Sequence, residues 1–310
     1  MRNPKFSIPN NLVLAPIAGY SDVGLRTLSY KYGAGLCYTE MVSAKGLYYG
    51  SRGSETLLYL GEEEKNRTGV QLFGEDAAII AEVAASKAIE PFKYIDVNMG
   101  CPVPKVVKNG EGSALLKTPS KAYDIISAIR KSVGDDRIVS AKLRLGFEKD
   151  SFYALDVARA VEDAGADIVY LHGRRREDYF SGEIDYDGIA TVKAGVSIPV
   201  YGNGNVFDKA SYEKMLSTGV DGVMIGRGAL GHPWIFEEVL GIERDHSVRE
   251  TVLYHISKLL EILPEHVVAN NMKSVLSLYV KGLPDVKARR RRIFDSKSLD
   301  DIYAITEELK

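Results

Sequence analysis

Cys101 sits between Gly100 and Pro102 in DVNMGCPVPK, residues 96–105, directly after a β-branched run. A thiol in so tight a loop is suited to being a nucleophile, a metal ligand or a proton donor; the plainer reading is a small buried side chain. The chain has 2 cysteines, and Cys37 and Cys101 form no CxxC pair, so neither a metal site nor a disulfide framework is expected. Cys37 falls inside an apolar run and reads as core. Lys142, in VSAKLR, is suited either to Schiff-base formation or to stabilising negative charge on a flavin ring. His172, in DIVYLH, has the roles of base, hydrogen-bond donor and core residue open to it. The glycine turns YGNGNV and IGRGALG let backbone amides approach an anion, which points to a phosphorylated ligand. Farther on, KARRRR gathers Lys287 and Arg289 to Arg292 into a patch that suits phosphate contacts or, more plainly, a solvated helix face.

Eight short β-branched runs, each followed by helical periodicity, are available to position these groups. They are LVLAP (12–16), LCYTE (36–40), TGVQL (68–72), YIDVN (94–98), VSAKLR (139–144), DIVYLH (167–172), PVYGNG (199–204) and GVMIG (222–226). The pattern predicts a closed (β/α)8 TIM barrel, an α/β fold; an open doubly wound sheet commonly has fewer strands. In such barrels the active site lies at the carboxyl ends of the strands. Those ends carry Pro16 with Ala18 and Gly19, Glu40, Gln71, Asn98 with Cys101, Lys142 with Arg144, His172 with Arg174, Asn203 with Gly204, and Gly226 with Arg227. From about residue 246 only helical stretches follow, at VRETVLYHISKLLEIL, His266 to about Gly282, and LDDIYAITEEL, with the basic patch between the last two. Two units are therefore expected, a barrel over residues 1–240 and an all-α helical domain over 246–310.

Composition bounds the rest. A chain of 310 residues with 45% hydrophobic and 26% charged residues is ordinary for a globular protein. No apolar run of about 18 residues suggests a membrane span, and the first residues have no export-signal pattern, so a cytoplasmic location is expected. The net charge of −2 argues against a uniformly basic nucleic-acid binder. Residues 246–310 nevertheless hold 11 Lys or Arg against 9 Asp or Glu, which makes that stretch +2 and residues 1–245 −4.

Taken together, APIAGYSDVGLR, VQLFG, DVNMGCPVPKVVKNGEGSALL, KLRLG, LHGRRREDYF, YGNGNV and GVMIGRGALGHPWIF resemble the tRNA-dihydrouridine synthases, in order and over roughly residues 10–240. NMGCP, a following lysine and GxGSALL are the most specific part. The resemblance implies flavin mononucleotide (FMN) at the barrel mouth, electrons from NADPH, and a helical domain that helps hold tRNA; it implies no protein partner. It implies reduction of uridine to 5,6-dihydrouridine, with hydride from reduced FMN to C6 and a proton from Cys101 to C5, a role for which a protonated thiol is suited. Residue by residue, Pro16, Ile17 and Ala18 match the segment beside the flavin, Gln71 and Lys142 its ring-side partners, and His172 a further contact. Asn203, Gly204, Gly226 and Arg227 match the phosphate grip. Asn98 and Arg144 would address the uracil, while Lys105, Lys108 and Arg174 to Arg176 would meet RNA phosphates. One segment departs from the pattern: where bacterial members often have a run similar to RKHxxWYLKG, this chain has KSVLSLYVKG, from Lys273 to Gly282, which bears on the choice of uridine. Three other readings compete: a Schiff-base aldolase, a flavin enzyme of free pyrimidines, and a catalytically silent RNA-binding barrel. No nicotinamide fingerprint of the GxGxxG kind follows the first strand.

Overall fold

A computed structural model describes residues 8–309. Residues 1–7 of the expected barrel unit and Lys310 of the helical one lie outside the described residues. Eight parallel strands close in sequence order: β1 (Leu12–Leu14), β2 (Leu36–Ser43), β3 (Thr68–Phe73), β4 (Tyr94–Met99), β5 (Ile138–Gly146), β6 (Ile168–Arg175), β7 (Val200–Asn203) and β8 (Gly222–Ile225), with β8 pairing back to β1. All eight expected runs become strands. Numbering helices of eight residues or more, α1 (Val23–Lys31), α2 (Ala77–Ala84), α3 (Pro119–Val133), α4 (Ala154–Asp163), α5 (Tyr186–Gly195) and α6 (Lys209–Leu216) belong to the barrel repeats.

Alternation along the strands divides their side chains between two cores. One set, including Val70, Ile95, Val97, Leu143 and Leu171, packs outward beneath the helices. The other fills the barrel interior with Val13, Leu36, Tyr38, Tyr94, Ile138, Ile168, Tyr170, Tyr201 and Met224. The Tyr38 and Tyr170 hydroxyls meet at 3.0 Å, so these large buried rings also satisfy their polar tips. Toward the carboxyl ends the inward positions turn polar: Gln71, Asp96 and Asn98, Ser140, Lys142 and Arg144, His172 and Asn203. A plugged lower barrel thus supports a polar upper layer.

The tail forms α7 (Val248–Leu260), α8 (Glu265–Tyr279), α9 (Val286–Asp295) and α10 (Leu299–Thr306). These helices bury a further apolar core that includes Val252, Ile256, Met272, Leu276, Ile293 and Ile302, together with Val23 of α1. The contact between α1 and α7 is so close that a Cβ on Gly24 would lie 2.1 Å from His255 Cδ2. His255 Nε2 lies 2.9 Å from the Asp22 carboxylate, which also caps α1 by accepting from Leu25 N–H. Two sequence expectations are corrected. The basic patch does not link two helices but forms α9 itself. Strand β6 extends past His172 to Arg175, which carries Arg174 into the sheet.

Candidate active site

The cysteine loop is held from three sides. Asn98, the penultimate residue of β4, accepts with Oδ1 from the N–H groups of Gly100 (3.2 Å) and Cys101 (2.9 Å) and donates from Nδ2 to Gln71 Oε1 (2.8 Å). Arg144 Nε donates to the Gly100 carbonyl at 2.8 Å, and Ser113 N–H donates to the Cys101 carbonyl at 3.1 Å. Behind the thiol lies Gly112, with φ +59°; a Cβ there would come within 2.9 Å of the Cys101 carbonyl oxygen and of Val106 Cγ1. That close approach explains the second glycine of NGEGSALL. Burial pushes the Cys101 thiol above its ordinary pKa, so it keeps its proton at neutral pH. Cys37 is fully buried on β2, and burial raises its thiol pKa too.

Lys142, Arg144 and Arg227 converge on the mouth, and among the described residues no carboxylate lines the cavity wall. Lys142 Nζ donates to Asn203 Oδ1 (3.1 Å), and Asn203 Nδ2 donates to the Met224 carbonyl (2.7 Å), joining β5, β7 and β8. Burial, reinforced by Arg144, pushes the Lys142 ammonium down to about 8. Burial followed by Arg174 pushes Arg144 down to about 10. His172 is held well below the ordinary histidine range by burial and then by Arg144 and Lys142, so it is a neutral imidazole at neutral pH. This excess of buried positive charge destabilises the protein until an anion arrives. Lys142→Met should therefore raise the melting temperature of ligand-free protein by roughly 5 °C at pH 7. A depressed lysine pKa means that the folded state holds fewer protons than the unfolded one between about 8 and the ordinary 10.5, so wild-type stability rises through that window. The advantage of the variant should shrink over the same range in melts recorded from pH 7 to 10.

The cavity encloses about 530 Å³. Its wall brings together Cys101, Asn98, Gln71, Lys142, Arg144 and His172 with Pro16, Ile17 and Ala18 from the loop after β1. Asn203, Gly204, Gly226 and Arg227 complete it from the last two strands. The residues expected to meet RNA phosphates, Lys105, Lys108 and Arg174 to Arg176, are not part of that wall. Lys105 is exposed on the short helix Pro104–Lys108 that leaves the cysteine loop. Arg174 is only 2% exposed, its Nε donating to the Gly182 carbonyl at 2.9 Å, and so is withdrawn from RNA phosphates. As β6 continues, alternation places Arg174 on the inner face with His172, and its guanidinium lies 3.4 Å from His172 Nε2.

Sequence reasoning missed Met41, Tyr20, Phe180 and Phe207 in the wall. Phe180 follows Tyr179, whose φ of 49° turns the chain outward, and its ring is 51% exposed. The guanidinium carbons of Arg144 and Arg227 lie 5.4 and 5.5 Å from its centroid. It also missed Asp96, fully buried beneath the cavity, where it accepts from Gln71 Nε2 and Ser140 Oγ, each at 2.7 Å. Glu40, noted at its strand end, accepts from Gly19 N–H, and burial raises its carboxyl pKa.

The family profile described as Dihydrouridine synthase (Dus) matches residues 13–308. The chain is 35% identical over 296 residues to the tRNA-dihydrouridine synthase B of Pseudomonas aeruginosa, covering 92% of this chain and 88% of that one. It is 34% identical over 301 residues to the protein of the same name from Vibrio cholerae, covering 94% and 92%. Among solved structures, the old yellow enzyme from Trypanosoma cruzi superposes with a TM-score of 0.56 at 10% identity, over 79% of this chain and 92% of that one. Morphinone reductase does so with a TM-score of 0.54 at 15% identity, over 79% and 90%. At such low identity these two matches speak to the barrel fold alone.

Proposed function

Because this chain belongs to the dihydrouridine synthase family, we propose that it reduces uridines in tRNA to 5,6-dihydrouridine, with FMN bound at the barrel mouth and NADPH as electron donor. The observation that carries this reading is the place of the Cys101 thiol, whose pKa burial raises, at the edge of a cation-lined cavity that has no carboxylate in its wall among the described residues. The donor set fits a flavin. Gln71 and Lys142 are suited to its ring, the Pro16 to Ala18 segment to its flank, and Asn203, Gly204, Gly226 and Arg227 to its phosphate. Bound there, FMN supplies a hydride for C6 of the uracil.

The remaining work falls to the chain's own side chains. Cys101 holds the proton destined for C5, and burial keeps it on sulfur. Arg144, anchored to the Gly100 carbonyl, faces the negative charge that develops on the ring, in an interior where such charge is poorly screened. Asn98 uses Oδ1 on the cysteine loop and one Nδ2 proton on Gln71; its second N–H meets only the Met41 sulfur, a weak acceptor that a uracil oxygen can replace. His172, being neutral, can accept or donate a hydrogen bond without adding charge. Uridine must leave its stack to reach this depth, and the exposed Phe180 and Phe207 rings at the lip are suited to contacting unstacked bases.

We assign catalysis to residues 1–240 and RNA holding to 246–310. The basic helix is only partly available for that work. Arg292 pairs with both Glu308 oxygens, Arg290 donates to the Ser277 carbonyl and half-buried Arg289 donates to the Pro284 carbonyl, whereas Lys287 and Arg291 are exposed. Replacing those two by alanine should reduce the slope of log affinity against log salt by roughly 2 while flavin reduction by NADPH keeps its rate. Filter binding across a salt series checks this. No helix among the described residues is long and apolar enough to cross a membrane, and we place the enzyme's work with its substrate, in the cytoplasm. The reading as a whole is tested by mixing anaerobically reduced protein with unmodified tRNA. Flavin reoxidation by tRNA and not by free uridine supports it; reoxidation by free uridine alone favours an enzyme of free pyrimidines, and a protein that binds no flavin ends it.

A further inference from the structure

We propose that Asp96 is a positioning residue, which orients the Cys101 loop through a directed chain of side-chain amides. The geometry is set by strand register. Gln71 stands opposite Asp96 across β3 and β4, and Ser140 opposite Asp96 across β4 and β5. Asn98 is two residues on from Asp96 and points to the same face. An ionised carboxylate only accepts hydrogen bonds. It therefore draws the Gln71 amide nitrogen toward itself, at 2.7 Å, which turns Gln71 Oε1 toward Asn98. That oxygen accepts only from the Asn98 amide nitrogen, at 2.8 Å, which leaves Asn98 Oδ1 facing the N–H groups of Gly100 and Cys101. Each amide has one allowed orientation once Asp96 has set the first.

Without Asp96, both amides are free to flip together, and a flipped Asn98 presents N–H groups to the N–H of Cys101. The loop then loses the contact that fixes where the thiol points. Reacting groups misplaced by about 1 Å cost on the order of a hundredfold in rate. Asp96 is itself no part of the cavity wall and is hydrogen-bonded to it through Gln71. What matters in this scheme is an acceptor directed at Gln71. Its charge, which also acts on Lys142, is incidental. The catalytic consequence rests on the uridine reduction proposed above; the orientation of the loop does not.

The test compares Asp96→Leu with Asp96→Asn in full-length protein. Asparagine can keep its oxygen toward Gln71, because the Ser140 hydroxyl is able to reverse and accept from the new amide. Three properties are read: flavin content, reoxidation of reduced flavin by tRNA, and alkylation of Cys101 by iodoacetamide, with buried Cys37 as internal control. In Asp96→Leu, reoxidation should fall about a hundredfold and Cys101 alkylation should rise, with flavin content unchanged. Asp96→Asn should recover most of both changes. Wild-type behaviour of Asp96→Leu overturns the proposal, and so does an Asp96→Asn as impaired as Asp96→Leu, since charge would then be the operative property. If wild-type protein is not reoxidised by tRNA, the functional reading fails, and alkylation alone still judges the relay.

Should Asp96→Leu not fold, an exchange pair decides. Asn98→Asp alone sets carboxylates on both sides of Gln71, so whichever way the amide points, its Oε1 faces a carboxylate with no proton between them. Adding Asp96→Asn completes the chain again with the Gln71 amide reversed. An Asn98→Asp/Asp96→Asn protein whose Cys101 alkylation returns to the wild-type rate supports the relay; one that alkylates like Asn98→Asp alone overturns it.

Discussion

Cys101→Ala should slow reoxidation of the reduced flavin by tRNA by about a thousandfold, the midrange for loss of a positioned proton donor. Flavin content, reduction by NADPH and tRNA affinity should stay close to wild type. The thiol's own contact is with the nearby Val103 N–H of the same loop, whereas the loop is held through its backbone, by Asn98, Arg144 and Ser113. Alanine therefore removes the proton and leaves the loop. Stopped-flow traces of the two half-reactions separate these effects, and an unchanged tRNA half-reaction removes Cys101 from the proton-donor role.

The largest expected loss of stability lies away from the cavity, at Glu64. Its carboxylate meets Arg26 at 2.5 Å, with side-chain exposures of 3% for Arg26 and 0% for Glu64. The pair is fully supplied: Arg26 also donates to the Ser21 and Tyr59 carbonyls, and Glu64 accepts from Gly61 N–H. Removing one partner leaves a desolvated guanidinium, so Glu64→Ala should cost about 3–5 kcal/mol. For a chain of this size the melting temperature should drop by roughly 10 °C. Glu62→Ala is the contrast, because its pair with Lys65 is exposed and contributes under about 1 kcal/mol. Thermal melts of the two variants side by side distinguish a buried pair from a surface one.

The strands could be read from sequence because buried parallel strands are continuous β-branched runs, and their ends were marked by polar residues that had no reason to be apolar. That placed Gln71, Lys142 and Asn203 at the mouth without knowledge of any contact. Asp96 was missed for the opposite reason. Inside YIDVN it looks like an interruption, and its importance appears only with the register that sets Gln71 and Ser140 against it. Arg174 was misjudged because three consecutive arginines look like solvated charge, whereas a strand that continues three residues longer turns Arg174 inward. Helix α9 escaped notice for lack of an apolar stripe; Ile293 is its buried residue, and four arginines hide the period. Phe180 gave no signal either, since an exposed aromatic in a loop is legible only when its neighbours in space are known.

The seam at Gly24 bears on how the protein meets a large substrate. With room for no methyl group between α1 and His255, and with Asp22 joined to that histidine, the barrel and the last four helices have little freedom to slide past one another. The separation between the Cys101 mouth and the basic helix is then close to a constant of the molecule. Any ligand long enough to touch both must supply the bending itself, so selectivity can arise from the work of deforming the ligand as well as from the bases it presents.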